Sequence, residues 1–207
     1  MNKVCAVFGG GDPVSAAVVR KEFSGGELLI AADSGYLLMH SLGLEPDLIL
    51  GDFDSAPEPD FADKQVYPKQ KDDTDLMLAL KEGLSRGCDR FLIFGATGGR
   101  LDHTYAAVQS LAYLLEQGAS GVIVSDTERI ELLAPGSYTL PAMKGYTLSL
   151  FAYTDSVGGL TVTGAEYTCE GITLRNSFPL GVSNSAEDSP AKVCFSKGII
   201  LVIRSKL

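Results

Sequence analysis

Short apolar runs alternate with amphipathic stretches through the first 125 residues. Val4 to Phe8, Leu28 to Ala32, Leu48 to Leu50, Phe91 to Phe94 and Val122 to Val124 are continuous apolar segments bounded by Gly, Asp or Ser. That pattern predicts strands buried on both faces. Between them, Ser15 to Phe23, Tyr36 to Leu42, Thr74 to Leu84 and His103 to Leu115 carry apolar residues at helical spacing. Alternating strands and helices predict a parallel sheet covered on both sides, with ligands binding beyond the carboxyl ends of its strands.

The pattern changes near Asp126. Ile130 to Leu133, Tyr146 to Phe151, Leu160 to Val162, Ile172 to Leu174, Val193 to Phe195 and Ile199 to Ile203 are short alternating or β-branched runs. Pro135-Gly136, Gly158-Gly159 and Ser189-Pro190 punctuate them. This predicts a second, all-β domain, a sandwich or a barrel. No Pro- or Ser-rich linker precedes it, so the two domains are expected to pack closely.

Composition narrows the class. A chain of 207 residues with 45% apolar and 21% charged residues is expected to fold. Its 26 acids against 17 bases give a net charge of −9, which argues against nucleic acid as a partner. The acids are uneven: residues 1–134 hold 21 of them with 11 bases, and residues 135–207 hold 5 with 6 bases. The stretch from Asp47 to Asp75 alone has nine acids and three lysines, and so supplies −6 of the −9. No apolar run approaches the roughly 20 residues of a membrane span, and the amino-terminal run is too short for a signal-peptide core. Cys5, Cys88, Cys169 and Cys194 have no metal-type spacing and are expected to be buried, reduced thiols of a cytoplasmic protein.

The candidate chemistry lies at predicted strand ends. After the third strand, Gly51-Asp52-Phe53-Asp54 places two carboxylates where a hard cation such as Mg²⁺ takes oxygen ligands. Asp-x-Asp also occurs in ordinary turns, and both readings stand. Lys69-Gln70-Lys71-Asp72-Asp73-Thr74-Asp75 leads into a helix. Capping accounts for one or two of these residues, and metal plus phosphate binding accounts for the rest. Gly98-Gly99-Arg100-Leu101-Asp102-His103 follows the fourth strand and combines close backbone approach, a helix start and a guanidinium, all suited to an anion. Asp102 can cap the helix, orient Arg100 or His103, or bind metal. Gly9-Gly10-Gly11-Asp12 is neither a Walker A loop nor a dinucleotide fingerprint, and Asp33-Ser34-Gly35 adds an acid at the same edge.

Taken in order, Ala32-Asp33-Ser34-Gly35, Pro46-Asp47 through Gly51-Asp52-Phe53-Asp54-Ser55, Lys71-Asp72-Asp73-Thr74-Asp75 and Gly98-Gly99-Arg100-Leu101-Asp102-His103 resemble the bacterial thiamine pyrophosphokinases. Leu180-Gly181-Val182-Ser183-Asn184 and Gly198 to Ile203 resemble that family's β-domain. The resemblance implies an α/β plus all-β fold: a Rossmann-like catalytic domain over residues 1–125 and a β-sandwich over residues 126–207 that contacts thiamine and forms a homodimer with sites at the subunit interface. It implies transfer of a diphosphoryl group from ATP to the hydroxyl of thiamine, leaving AMP. Asp52, Asp54 and Asp75 would hold Mg²⁺, with Asp33 nearby. Lys71, Asp72 and Thr74 would position substrate or phosphate, with Gly98, Gly99, Arg100 and Asp102 on the phosphate-facing edge. Asp102 or Asp75 would polarise the thiamine hydroxyl, and Ser183 and Asn184 would approach thiamine. Where the family commonly has an acid and an aromatic after Ser-Asn, this chain has Ser185 and Ala186, so Phe178 or a tyrosine is the aromatic candidate. The alternatives are a pyrophosphokinase for a pterin or another alcohol, and a non-catalytic thiamine- or nucleotide-binding regulator.

Overall fold

The structure is a computed structural model that describes residues 3–207 except Ser55 and Lys71. The chain divides into two compact units, one ending at Asp126 and one running from Thr127 to Leu207.

The first unit contains β1 (Val4–Phe8), α1 (Ala16–Glu22), β2 (Leu28–Ala32), α2 (Gly35–Ser41), β3 (Leu48–Gly51), β4 (Lys64–Val66), α3 (Asp75–Ser85), β5 (Arg90–Phe94), α4 (Leu101–Glu116) and β6 (Ser120–Val124). Its strands are all parallel, in the order β6-β5-β1-β2-β3-β4. Continuous apolar sequence follows from burial on both faces. Ala6, Phe8, Ala31, Ile49, Leu92 and Phe94 pack on one face with Val19 of α1 and Met39 of α2. On the other face α3 lies so close that Gly83 sits over Phe91 and Cys5. The strand order reverses between β1 and β5, and a sheet of this type opens a crevice at such a point.

The edge strand β4 was not expected. Lys64-Gln65-Val66 lies at the sheet margin with its residues half-buried or exposed, so it has no apolar run to betray it.

The second unit contains β7 (Glu128–Leu133), β8 (Gly136–Leu140), β9 (Thr147–Ala152), β10 (Ser156–Thr163), β11 (Cys169–Arg175), β12 (Asn184–Ser185), β13 (Ala191–Phe195) and β14 (Ile200–Ser205). They form two antiparallel sheets, β12-β9-β14-β7 and β11-β10-β13-β8. Between the sheets Leu148, Leu150 and Val202 meet Leu160, Val193 and Phe195 in one core, so the unit is a β-sandwich. Strand β8 begins at Gly136, inside what the sequence marks as a turn.

All four cysteines are free, and Cys5 and Cys88 are buried. Cys169 is only half-buried, and Cys194 corrects the expectation of burial outright. On β13 the residues alternate between core and solvent, and Cys194 falls on the outward side. No helix among the described residues is long and apolar enough to cross a membrane.

The tight seat of α3 gives a stability prediction. Alanine is normally favoured over glycine inside a helix by about 1 kcal/mol. A Cβ at Gly83 would lie 2.6 Å from the buried Phe91 ring and 3.1 Å from Cys5 Sγ, and overpacking of this kind costs about 1–3 kcal/mol. Gly83→Ala should therefore lower the thermal midpoint, read by circular dichroism; a raised midpoint would show that α3 is free to lift.

Candidate active site

The crevice beyond β1 and β5 is walled by two loops that are zipped together. The amide of Gly9 donates to Phe94 O (2.8 Å), Gly11 to Gly95 O (2.6 Å) and Asp12 to Thr97 O (2.9 Å), which carries main-chain bonding past the strand ends. A side chain at Gly9 or Gly11 would meet these carbonyls, so the spacing requires glycine. Beside the zipped loops is a cavity of about 690 Å³, lined by both loops and by residues that follow β2, β3 and β4.

Three carboxylates converge on this cavity. Asp33, Asp52 and Asp75 are each half-buried, and each offers an oxygen within 4.8 Å of the others. Different local structure brings each of them there. Asp33 follows β2 with its backbone in the left-handed region, φ 49°, and its N–H donates a hydrogen bond to Leu50 O at 2.8 Å. Gly51 has no side chain to collide with it, since a Cβ there would lie 2.9 Å from Asp33 Cα. Asp52 follows β3, and its Oδ1 accepts the amide of Asp54 at 3.2 Å, closing an Asx turn with Phe53 at φ 53°. Asp75 opens α3 behind its cap Thr74, whose Oγ1 accepts the amide of Met77 at 3.2 Å.

These residues fit a hard divalent cation. Oxygens about 2.0–2.1 Å from an octahedral Mg²⁺ lie about 3–4 Å apart, close to the spacing of the trio, whose oxygens fall within 4.8 Å of one another. Asp33 Oδ1 is buried without a hydrogen-bond partner among the described residues, a costly state for a carboxylate unless a cation faces it.

The other expected residues fall into place unevenly. Asp54 lines the cavity but is exposed and stands outside the trio. Gly98 and Arg100 line it from the opposite loop; Gly98 and Gly99 both have positive φ, as a tight turn demands. Arg100 holds the N-cap position of α4 without a side-chain bond to a helix amide. Its Nε and Nη2 instead donate to the two oxygens of Asp102 at 3.1 and 2.5 Å, on the exposed lip. The Asp102 carboxyl is held below the usual carboxylate range, chiefly by this bonding to Arg100. Asp72 is exposed and is not on the cavity wall, whereas Asp73 is, bound to Lys81 at 2.7 Å. Lys71 lies outside the described residues. Among the other cavity residues are Lys69, read from sequence only as part of the metal- and phosphate-binding stretch, and Ser34, which had no role of its own. Both sit inside the motifs already singled out, and their proximity to those motifs was the available signal.

In the second unit, Ser183 adopts φ 58° and donates its amide to Ser149 Oγ at 3.0 Å. The Asn184 carboxamide binds the backbone of Tyr167 twice, accepting from its N–H (2.9 Å) and donating to its carbonyl (2.8 Å). Ala186 is buried in the sandwich, while Tyr167 and Phe178 are the exposed aromatics of this region.

A family model described as the catalytic domain of thiamin pyrophosphokinase matches residues 19–123, and one described as the vitamin B1 binding domain of the same enzyme matches residues 137–200. The chain belongs to the thiamin pyrophosphokinase family. The thiamine pyrophosphokinase of Bacillus subtilis (strain 168) is 31% identical over 187 residues, covering 86% of this chain and 87% of that protein. A crystal structure of thiamine pyrophosphokinase from Bacillus subtilis superposes with a TM-score of 0.89 at 27% identity, covering 99% of this chain and 100% of that one. That from Geobacillus thermodenitrificans gives 0.86 at 28%, covering 99% and 98%. The whole chain is thus accounted for by the thiamin pyrophosphokinase fold, α/β followed by β-sandwich.

The pairing on the lip is directly testable. Removal of the guanidinium in Arg100→Ala should raise the titration midpoint of Asp102, followed by carboxyl-carbon NMR. Because the folded-state value is depressed, the Arg100–Asp102 pair persists above it and is lost only as pH falls through it. A midpoint indifferent to Arg100 would mean that the two side chains do not meet in solution.

Proposed function

We infer that this protein is a thiamine diphosphokinase: it transfers the diphosphoryl group of ATP to the hydroxyl of thiamine, giving thiamine diphosphate and AMP. The observation that carries the reading is the convergence of Asp33, Asp52 and Asp75 at the sheet crevice, facing a glycine turn and a guanidinium. Family membership supplies the substrates.

The hydroxyl oxygen forms a bond to the β-phosphorus while the bond from that phosphorus to the α–β bridging oxygen breaks, and AMP departs with the bridging oxygen. Such transfers depend mainly on positioning and charge stabilisation. Asp33, Asp52 and Asp75 would hold Mg²⁺, which when bound neutralises phosphate oxygens. Asp54 is proposed to complete the acidic wall, and Lys71, Asp72 and Thr74 to position substrate. The Thr74 hydroxyl accepts from Met77, so its own proton is available to a phosphate oxygen. Gly98 and Gly99 admit the phosphate chain close to the backbone, and Asp102 aims Arg100 at it. Asp75 is on the cavity wall and Asp102 is not, which favours Asp75 as acceptor of the hydroxyl proton. The Arg100 pair also lowers the basicity of Asp102.

The β-sandwich is proposed to contact thiamine through Ser183 and Asn184. Asn184 uses its side chain to fix Tyr167, so the aromatic partner of the thiamine ring is assigned to exposed Tyr167, with Phe178 as the other candidate. Homodimer formation and residence in the cytoplasm complete the proposal.

Purified protein supplied with ATP, Mg²⁺ and thiamine should form thiamine diphosphate and AMP in equal amounts; release of ADP instead would defeat the proposal. In the same preparation, Asp33→Asn and Asp52→Asn should each weaken Mn²⁺ binding, followed by electron paramagnetic resonance, by tenfold or more. Binding at parental strength in both variants would remove the trio as the metal site.

A further inference from the structure

We propose that Lys69 binds the phosphate chain of the nucleotide directly, a role that rests on the diphosphoryl-transfer reading above. Lys69 follows β4 and lines the cavity, as do Asp73 and Thr74 of the same connection and Asp75 at the start of α3.

Among the described residues, four other bases of the first unit are already paired. Lys64 pairs with Glu58 at 2.8 Å, Lys81 with Asp73 at 2.7 Å, Arg86 with Glu82 at 2.8 Å and Arg100 with Asp102 at 2.5 Å. Among the described residues, the Lys69 ammonium has no ion pair and no hydrogen bond, although Asp33, Asp52, Asp54, Asp73 and Asp75 line the same cavity.

The difference matters for an incoming polyanion. Arg100 must loosen its hold on Asp102 to take a phosphate oxygen, exchanging one anion for another. Lys69 gives up only water, and its ammonium offers three rotatable donors as a compact point charge. Charge-assisted bonds of this kind are among the stronger polar contacts. The cavity therefore has a cation-seeking trio on one part of its wall and an uncommitted cation on another, a combination that suits a metal-bound phosphate chain better than either ion alone.

The test uses Lys69→Gln and Lys69→Arg in the full-length protein, titrated calorimetrically with magnesium tripolyphosphate and assayed for turnover. Lys69→Gln should bind tripolyphosphate about tenfold more weakly and show a KM for ATP about tenfold higher, with the KM for thiamine within about twofold of the parent, as expected for loss of one charge-assisted bond. Lys69→Arg should recover most of the loss. The difference should persist at 0.5 M KCl, where the screening length is about 4 Å.

Parental tripolyphosphate affinity in Lys69→Gln overturns the proposal. So does a difference that vanishes at high salt, a failure of arginine to restore binding, or a parent that does not bind tripolyphosphate. The titration needs neither thiamine nor turnover. Lys69-dependent binding without AMP formation would therefore defeat the reaction while leaving this residue's role standing, and AMP formation with Lys69-independent binding would do the reverse.

Discussion

Three carboxylates held within 4.8 Å of one another repel, and much of the first unit can be understood as the means of keeping them there. Left to itself, each would turn towards solvent. Asp33 is kept in place by a left-handed backbone that few side-chain-bearing residues adopt, and that conformation in turn needs Gly51 beside it. Asp52 is pinned by its turn, and Asp75 is fixed by the start of a helix whose cap is Thr74. The strain and the repulsion are concentrated at one sheet edge, while the buried strands β1, β2, β3 and β5 supply the rigidity that bears them.

The acidic excess is therefore not a single feature. Within the stretch from Asp47 to Asp75, Asp52, Asp54, Asp73 and Asp75 reach the cavity. Asp47 instead accepts the amide of Leu29 at 2.8 Å and donates its own amide to the Leu29 carbonyl, also at 2.8 Å, stitching β2 to the start of β3. Glu58 is taken up by Lys64, and Asp73, though it faces the cavity, by Lys81. Charge that reads in sequence as one acidic cluster is shared between the cavity wall and the scaffolding of its own loop.

The central strands and all four helices were legible in the sequence because full burial leaves an uninterrupted apolar run and one-sided burial leaves a helical period. Strand β4 was not, being an edge strand of mixed polarity, and β12 was not, being two polar residues, Asn184 and Ser185, held by pairing with β9. The candidate site was legible as a set of strand-end acids and glycines. Which acids meet was not, because it depends on backbone conformation at Asp33 and Phe53, where non-glycine residues take positive φ and no side-chain pattern marks it. The same limit applies to Asn184, which the family resemblance brings near thiamine and whose carboxamide also fixes the backbone of Tyr167.

The four thiols differ in a way that makes the protein self-labelling. Burial pushes the Cys5 thiol far above its ordinary acidity range and raises that of Cys88 as well, so both are poor nucleophiles. Cys194, turned outward on β13 with its sulfur accepting a bond from Ser137 Oγ at 3.1 Å, is the thiol that solvent reaches most readily. A maleimide fluorophore would consequently settle on the β-sandwich and leave the first unit unmarked. The wild-type chain thereby carries a built-in attachment point from which motions of the second unit can be watched without engineering a cysteine.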